Sequence, residues 1–365
     1  MKLEAVIHDR IYATEGRRLF VRSGNCGFEP LSTLPNPESG LDKVKYNLKT
    51  GGIEGRIRRA LTGRVHSVNV WPIDDKTIFA NANRWMFVSH DGGKSWDHSL
   101  TLRESTGLRG AMPCGLCHQG GTVYLGEYIF DETKHPRVLE TSDFGETWET
   151  SVELEGVRHV HSVQVDPITD DIWITTGDRD DESIIGILRD DDVEVVGTGS
   201  QRWRMVQPVF LPDAILWGTD APYQENQILR LPRSEIGSSN PDIDVLHTET
   251  NPFYFGTSID GRVFISTSAS AKEDSTAPDE TPHESDSWVT VWTASETTAF
   301  REWMQVARYQ TEPTLARRFG LKSLMANSYA FLDSSPSTGV VVGPYNCTDG
   351  ELMITDPQKF NNERN

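Results

Sequence analysis

The chain has 365 residues and carries 35 Lys and Arg residues against 54 Asp and Glu residues, which gives a formal net charge of -19. This balance disfavours nucleic acid and anionic membranes as partners, because their phosphate groups repel a negative surface. Ten of the 35 cations are Lys. A surface rich in carboxylate and poor in Lys indicates a halophilic source, in which concentrated salt screens the self-repulsion.

The targeting and cysteine signals are weak. The first ten residues lack the apolar core of an export signal, and no segment has the length of a membrane span. The four Cys residues, at positions 26, 114, 117 and 347, are too few and too unevenly spaced for a disulfide framework. We therefore expect a cytoplasmic protein.

One short pattern occurs twice in the first half of the chain. Residues 89–96 read SHDGGKSW and residues 141–148 read TSDFGETW, and both fit the Asp-box pattern Ser/Thr-x-Asp-x-Gly-x-Ser/Thr-Trp. In this pattern the carboxylates of Asp91 and Asp143 bind turn amides, and the rings of Trp96 and Trp148 fill the gap beneath the turn. We therefore predict a structural role for these four residues and a repeating β-hairpin unit around them.

A second repeat has a different position and supports the same unit. Residues 65–70 read VHSVNV and residues 160–165 read VHSVQV. The distance between these two copies is about twice the distance between the two Asp boxes, so the repeat has a period of about 45 to 50 residues. Several short strands per period indicate an all-β fold, a β-propeller of six or seven four-stranded blades, with seven favoured.

In chain order, the spacing of strands and turns predicts one propeller domain over 1–365. The seven blades are expected at 1–40, 62–105, 110–154, 157–200, 203–248, 253–310 and 320–360. Two stretches interrupt the rhythm. The polar, acidic and Pro-containing stretch 268–287 predicts a surface loop, and the stretch 298–319, richer in helix formers, predicts a short helical insertion.

The candidate catalytic residues lie at strand ends that a propeller directs toward its central channel. The repeats place His66 and His161 at equivalent positions of two inner strands. Glu127, Tyr128 and Asp178 follow the second strands of their blades. Paired carboxylates suit acid and base catalysis on a glycosidic bond, and a His with a Tyr suits proton transfer in a β-elimination. Alternatively, the carboxylates stabilise turns.

The candidate binding residues include two cations beside an indole. Arg202, Trp203 and Arg204 combine ion pairing with stacking, which suits an acidic sugar. Other polar or aromatic residues at corresponding strand ends are further candidates for sugar binding: His118, His159, Asp220 and Tyr223.

A sulfur and imidazole cluster is the candidate metal site. Cys114, Cys117 and His118 fit the c-type haem attachment pattern, but the chain offers no export signal or further ligand context for that chemistry. These residues, with His159 or His161 as further ligands, could instead hold a structural zinc. The alternative is that the cysteines are buried thiols, and no cofactor is required for the proposed chemistry.

The Asp boxes resemble those of the sialidase-like or BNR-repeat propellers, a superfamily of sialidases, other glycosidases and polysaccharide lyases of the ulvan-lyase type. The stretch 60–230 also resembles uncharacterised BNR-repeat proteins from glycan gene contexts. The arginine triad and Phe-Arg-Ile-Pro segment of sialidases are missing. The resemblance implies an oligo- or polysaccharide partner, and its lyases use His and Tyr and carry a structural zinc, which His161, Tyr128 and the Cys114/Cys117 region could mimic.

The sequence therefore predicts a carbohydrate-active propeller. We expect a glycoside hydrolase or polysaccharide lyase that acts on an acidic sugar in the central channel. The alternative is a non-catalytic propeller that binds glycans or proteins, as a lectin or attachment protein does. An enzyme requires Glu127, Tyr128, His161 and Arg204 to converge in one open pocket, whereas a scaffold would bury or scatter them.

Overall fold

The chain is a β-propeller of seven antiparallel sheets, as the sequence predicts. The computed structural model describes residues 1–24, 26–51, 68–103, 110–131, 133–269, 287–312, 328–348 and 350–361. Six sheets have four strands, and the seventh has three in these ranges. Within each sheet, neighbouring strands are consecutive in the chain, which is the topology of a propeller blade. No helix in the described ranges is both long and apolar enough to cross a membrane.

Backbone packing divides the chain into two compact units, of which unit one comprises Tyr12–Ile57 and Val65–Val206. Its described part has one α-helix, α1 (Gly40–Thr50). The first four sheets are, in order, β1 (Lys2–Ile7), β2 (Arg10–Glu15), β3 (Arg18–Ser23) and β4 (Glu29–Thr33); β5 (Val68–Pro72), β6 (Ile78–Ala82), β7 (Trp85–Ser89) and β8 (Asp97–Thr101); β9 (Leu116–Gln119), β10 (Thr122–Gly126), β11 (Arg137–Thr141) and β12 (Glu149–Glu153); β13 (His159–Val165), β14 (Ile172–Gly177), β15 (Ile184–Arg189) and β16 (Asp192–Thr198).

In the described ranges, unit two comprises Met1–Ile11, which contains β1, and the residues from Gln207 onward. The last three sheets are, in order, β17 (Met205–Phe210), β18 (Ala214–Thr219), β19 (Asn226–Pro232) and β20 (Asp244–Glu249); β21 (Phe253–Ile259), β22 (Arg262–Thr267), β23 (Trp288–Ser295) and β24 (Met304–Gln310); β25 (Tyr329–Ser335), β26 (Gly339–Tyr345) and β27 (Met353–Thr355). The short 3-10 helices are Asp180–Glu182, Gln201–Trp203, Arg233–Glu235, Glu296–Thr298 and Pro357–Asn361.

The second and fourth strands of the sheets differ in how far their residues are buried. Every residue of β6, β14, β18 and β22, each the second strand of its sheet, is buried. No residue of β4, β8, β20 or β24, each a fourth strand, is buried. A strand covered on both faces needs apolar side chains on both, which explains why the second strands contain apolar runs such as AILW in β18.

The two motif turns, residues 89–96 and 141–148, join the third and fourth strands of their sheets with matching hydrogen bonds. Asp143 accepts hydrogen bonds from Thr141, at 2.7 Å, and from the amide and hydroxyl of Thr147, at 2.9 and 2.6 Å. Asp91 accepts the corresponding bonds from Ser89 and Ser95. These bonds hold the pKa of both carboxyl groups below the usual range, with the Ser95 and Thr147 hydroxyls as the largest causes.

Each motif Trp connects its turn to the fourth strand of the preceding sheet. The indole N–H of Trp96 donates to Ser32 Oγ of β4 at 2.9 Å, and the indole of Trp148 donates to Ser99 Oγ of β8 at 2.8 Å. Each of these serines donates in turn to a turn carbonyl, that of Gly93 or Gly145. The turns therefore join neighbouring blades, and the structural role of the motif residues stays a prediction.

The predicted blades coincide with the observed sheets, but the insertions do not all follow the prediction. The expected helix over 298–319 is wrong for its described part, because 304–310 form β24, whose residues pair with β23. Pairing with a sheet edge outweighed the helix propensity of this stretch. The rest of that stretch, 313–319, lies outside the described residues, as does 270–286 of the expected surface loop.

Unit two contains an enclosed carboxyl group, that of Asp333 on β25. Its Oδ2 accepts the amide of Val6 at 2.6 Å, and its Oδ1 accepts the amide of Ser334 at 2.8 Å. Although part of the residue remains accessible to solvent, burial of the carboxyl group raises the pKa of Asp333 to about 6, and the two amide bonds only partly oppose this. The folded protein therefore binds this proton more tightly than the unfolded chain does.

We expect the Asp333 carboxyl to make folding stability fall as pH rises. Below about pH 4 the group is protonated in both states, and between about pH 4 and 6 the unfolded chain ionises first, so up to about 3 kcal/mol of stability is lost. Asp333→Asn should lack this step. Urea unfolding of both proteins from pH 4 to 7 measures the difference, and parallel pH profiles would contradict the assignment.

Candidate functional site

Two histidines and one aspartate of unit one form a compact polar cluster. His159 and His161 are 0% and 2% exposed, and their Nε2 atoms lie 3.1 Å apart. Asp178 Oδ1 lies 3.5 Å from the first Nε2 and 3.7 Å from the second. In the part of the chain that the structure describes, this is the one group of three His, Cys, Asp or Glu residues whose ligand atoms could hold a metal ion.

Strand geometry brings these three side chains together. His159 and His161 are two positions apart on β13, and alternate residues of a strand share a face. His159 is paired with Gly177, the last residue of β14, so Asp178 follows directly beside it. The register shifts between Val160 and Ser162, which marks a β-bulge at His161. Bulges redirect single side chains, and they are common beside functional sites.

Gly177 leaves the space that the cluster needs. A Cβ atom at this position would lie 2.9 Å from His161 Cε1 and 3.1 Å from Arg204 Cγ. Both contacts are shorter than side chains normally tolerate, so a larger residue would displace the imidazole or the arginine. In the sequence Thr-Thr-Gly-Asp at 175–178, Gly177 ends the strand and leaves room for the neighbouring side chains, and Asp178 supplies the carboxylate.

Two arginines hold the carboxylate of Asp178, whose side chain is 25% exposed. Arg204 Nη2 lies 3.0 Å from Oδ1, and Arg158 Nη1 lies 3.3 Å from Oδ2. Arg204 also donates to the backbone carbonyl of Asp178 at 2.7 Å. Burial alone would raise the pKa of Asp178, but the facing His159 and His161 rings and the Arg204 guanidinium outweigh it and hold that pKa well below its usual range.

Tyr128 covers one side of the cluster. Its ring stacks on His159 with 4.1 Å between ring centroids, and Phe130 packs against both rings. Burial lowers the pKa of His159 below its usual value. The ring is therefore favoured in its neutral form, in which it carries one N–H and one lone pair.

Glu127 does not join this cluster, because two arginines bind it. Arg137 lies 2.8 Å from Oε1, and Arg103 donates to both carboxylate oxygens. Burial opposes ionisation of the 0% exposed Glu127, but these two guanidinium groups hold its pKa below the usual range. A carboxylate neutralised on both oxygens lacks the raised pKa of a general acid. The structure therefore does not support the predicted catalytic role of Glu127.

A cleft of about 430 Å³ opens beside Glu127 and Tyr128 in unit one. Helix α1 with the residue Glu38 before it, the start of β7 and the loops that follow β6, β8 and β10 supply its lining: Glu38, Asp42, Lys45, Tyr46, Lys49, Asn83, Arg84, Trp85, Leu102, Arg103, Gly110, Glu127, Tyr128 and Ile129. Sequence reasoning missed α1 and the cleft residues other than Glu127 and Tyr128. The apolar positions 41, 44 and 48 have helical spacing and are a signal for α1 in the sequence, although the structure buries Tyr46 and Thr50 instead.

The remaining candidates differ in burial. Trp203 is buried against Gly197, where a Cβ would lie 2.4 Å from the indole, and Arg202 is exposed. Asp220 is buried and Tyr223 half-buried in unit two. His66 lies outside the described residues. Of the predicted sugar-binding residues, His159 and Arg204 therefore meet at Asp178, and the sugar-binding role of the others stays a prediction.

The predicted metal ligands Cys114, Cys117 and His118 are not brought together as a group. Cys117 and His118 are neighbours on β9, and neighbouring residues of a strand face opposite sides. Accordingly Cys117 packs into an apolar cluster, where burial raises the pKa of its thiol, while His118 is exposed. Cys114 is buried and forms no disulfide, and zinc binding by the cysteines stays a prediction.

Comparison with known proteins supports the fold class. No protein-family profile matches the chain, and no curated protein matches it in sequence. Among solved structures, YCF48 from Cyanidioschyzon merolae superposes with a TM-score of 0.54 at 11% identity, covering 98% of this chain and 97% of YCF48.

Two other solved structures are similar over about half their own lengths. A puromycin hydrolase has a TM-score of 0.55 at 11% identity, with 98% of this chain and 54% of that chain covered. An ancestral GH74 enzyme has a TM-score of 0.51 at 10% identity, with 99% and 46% covered. At such low identity these similarities show the propeller fold alone.

Proposed function

We propose that the protein binds an acidic sugar chain in the cleft of unit one. The observation that carries this proposal is the local reversal of charge. The described lining has four cationic residues, Lys45, Lys49, Arg84 and Arg103, against three carboxylates, whereas the whole chain has 35 cations and 54 carboxylates. Cations concentrated on an otherwise acidic protein favour an anionic ligand.

The three carboxylates of the cleft are paired, two of them with cations of the same cleft, which leaves the cleft with one more cation than carboxylates. Glu127 is bound by Arg103 and Arg137, Asp42 pairs with Lys45 at 2.9 Å, and Glu38 accepts the indole N–H of Trp85 at 2.9 Å. Trp85 and Tyr128 add aromatic surface to the lining. Aromatic rings beside cations suit the apolar faces and carboxylates of uronic acids.

The burial and hydrogen bonding of the predicted base His161 favour binding of the sugar over its cleavage. His161 is 2% exposed, does not line the cleft, and its Nδ1 lies 2.9 Å from the Met205 carbonyl oxygen. A general base must reach the proton that it removes.

We also propose, on the shared hydrogen bonds of the two motif turns, that the chain is a distant relative of the sialidase-like Asp-box propellers.

We expect calorimetry to show binding of an oligouronate and none of a neutral cello-oligosaccharide of equal length. Trp85→Ala should weaken binding at least about tenfold, and Lys45→Ala about threefold. Lys134→Ala is the matched control, because Lys134 also pairs with an Asp three positions away, Asp131, but lies outside the cleft. Equal effects of the two lysine variants, or equal affinity for the neutral sugar, would contradict the proposal.

Cleavage of the bound sugar is the second candidate, and the position of Tyr128 favours it. This side chain lines the cleft and stacks on His159, so groups able to transfer protons lie directly behind the proposed sugar site. New reducing ends without unsaturated uronate absorbance would indicate hydrolysis, and both together would indicate elimination. The absence of both products would leave binding as the function. The halophilic source and cytoplasmic location stay predictions.

A further inference from the structure

The contact between the two imidazole rings requires an explanation. His159 Nδ1 lies 3.2 Å from the carbonyl oxygen of Ile129, and His161 Nδ1 lies 2.9 Å from that of Met205. A carbonyl oxygen can only accept, so each Nδ1 carries the ring hydrogen. When a ring carries its hydrogen on Nδ1 alone, its Nε2 presents a lone pair, and in that tautomer the two lone pairs face each other at 3.1 Å. Such a pair is repulsive unless a positive species lies between the rings.

A third donor completes the arrangement. Asp178 Oδ1 forms a triangle with the two Nε2 atoms, with sides of 3.1, 3.5 and 3.7 Å. The centre of this triangle lies about 2.0 Å from each atom, which is the length of a Zn–N or Zn–O bond. We propose that His159, His161 and Asp178 bind a divalent transition-metal ion of the zinc type.

The surroundings hold these ligands in the orientation that a metal needs. The backbone carbonyls of Ile129 and Met205 accept from Nδ1 of the two rings, Arg158 donates to Oδ2 of Asp178, and Arg204 Nη2 lies 3.0 Å from Oδ1, the oxygen proposed as the ligand. Partners of this kind are typical of metal ligands. Three protein ligands leave at least one coordination position open, and Asp178, which is partly exposed, provides the route from solvent. The site does not depend on the proposed sugar cleft.

Zinc binding to the full-length chain tests the proposal. The protein is stripped with a chelator, dialysed and titrated with Zn²⁺ in a calorimeter, and bound zinc is counted by elemental analysis after desalting. We expect one Zn²⁺ per chain and a higher melting temperature with the metal. His159→Asn and His161→Asn keep an N–H donor near the Nδ1 position and remove Nε2, so each should weaken zinc binding at least about tenfold.

The cysteine pair supplies the control, because Cys114→Ser/Cys117→Ser should bind zinc as the unaltered chain does. Circular dichroism of the metal-free variants verifies their folding. Co²⁺ bound to the unaltered chain gives a test that needs no variant, since His and carboxylate ligands produce no thiolate charge-transfer band. A thiolate band, no zinc uptake, or uptake that the Asn variants retain would overturn the proposal; in the last two cases a shared proton would explain the ring contact.

Discussion

Glu127→Ala is expected to lower the free energy of unfolding by about 3 to 5 kcal/mol. The variant would leave Arg103 and Arg137 facing each other across an empty site, each with a side chain only about a quarter exposed, at 27% and 25%. Removing one partner of a buried ion pair costs more than the pair contributes, because the remaining charges keep their desolvation penalty without compensation.

Chemical denaturation measures this loss, with Glu149→Ala as the control. Glu149 is an exposed carboxylate on β12 of the same sheet, and its removal should change stability by less than about 0.5 kcal/mol. Glu127→Gln, which keeps the shape but removes the charge, should give an intermediate loss. If Glu127→Ala were as stable as Glu149→Ala, the arginine pair would be held by other contacts, and Glu127 would again be a candidate for chemistry.

The fold was predictable because a propeller repeats its local chemistry. The two motif turns at 89–96 and 141–148 and the apolar second strands recur at the blade period, so a few clear copies fix the positions of weaker ones. The sheet 253–310 illustrates the limit of this reasoning. Strand β24 lies in a stretch with helix propensity, and it becomes a strand because it pairs with β23. No recognisable motif lies between β23 and β24, so the sequence does not signal this pairing.

The candidate site was only partly predictable. His159, His161, Asp178 and Arg204 were all named as candidates, and alternation along β13 with the Gly-Asp end of β14 explains why they meet. The hydrogen bonds of the two histidines could not be predicted, because their partners are the backbone carbonyls of Ile129 and Met205, which the sequence cannot place. Sequence patterns indicate where a side chain starts, whereas its function depends on which groups it contacts.

Glu127 shows the same limit for charge. The sequence places Glu127 at a strand end, where it looks available to a substrate. Its partners come from the loop after β8 and from the start of β11, which are 24 and 10 residues away. Ion pairs between residues this far apart in the chain leave no pattern in the local sequence. They keep Glu127 ionised, so that it stabilises the fold instead of serving as a catalytic acid.

Asp178→Ala is expected to cost about 2 to 4 kcal/mol of folding stability, measured with a chelator present so that no metal contributes. Arg204, whose side chain is 10% exposed, would lose its ion pair with this carboxylate, and the backbone carbonyl of residue 178 would remain one of its acceptors. Asp181→Ala is the control, because that carboxylate is 80% exposed and makes one weak pair with Arg179 at 3.6 Å. It should change stability by less than about 0.5 kcal/mol.

A double-mutant cycle separates the charge effect from the loss of packing at this position. Arg204→Met keeps an apolar side chain of similar length and leaves Asp178 with Arg158 as its cation. If the buried charge of Arg204 causes the loss, the double variant should be more stable than the sum of the single effects predicts, by about 1 to 3 kcal/mol. Strict additivity would mean that Asp178 stabilises the fold through other contacts, and that the arginine does not depend on it.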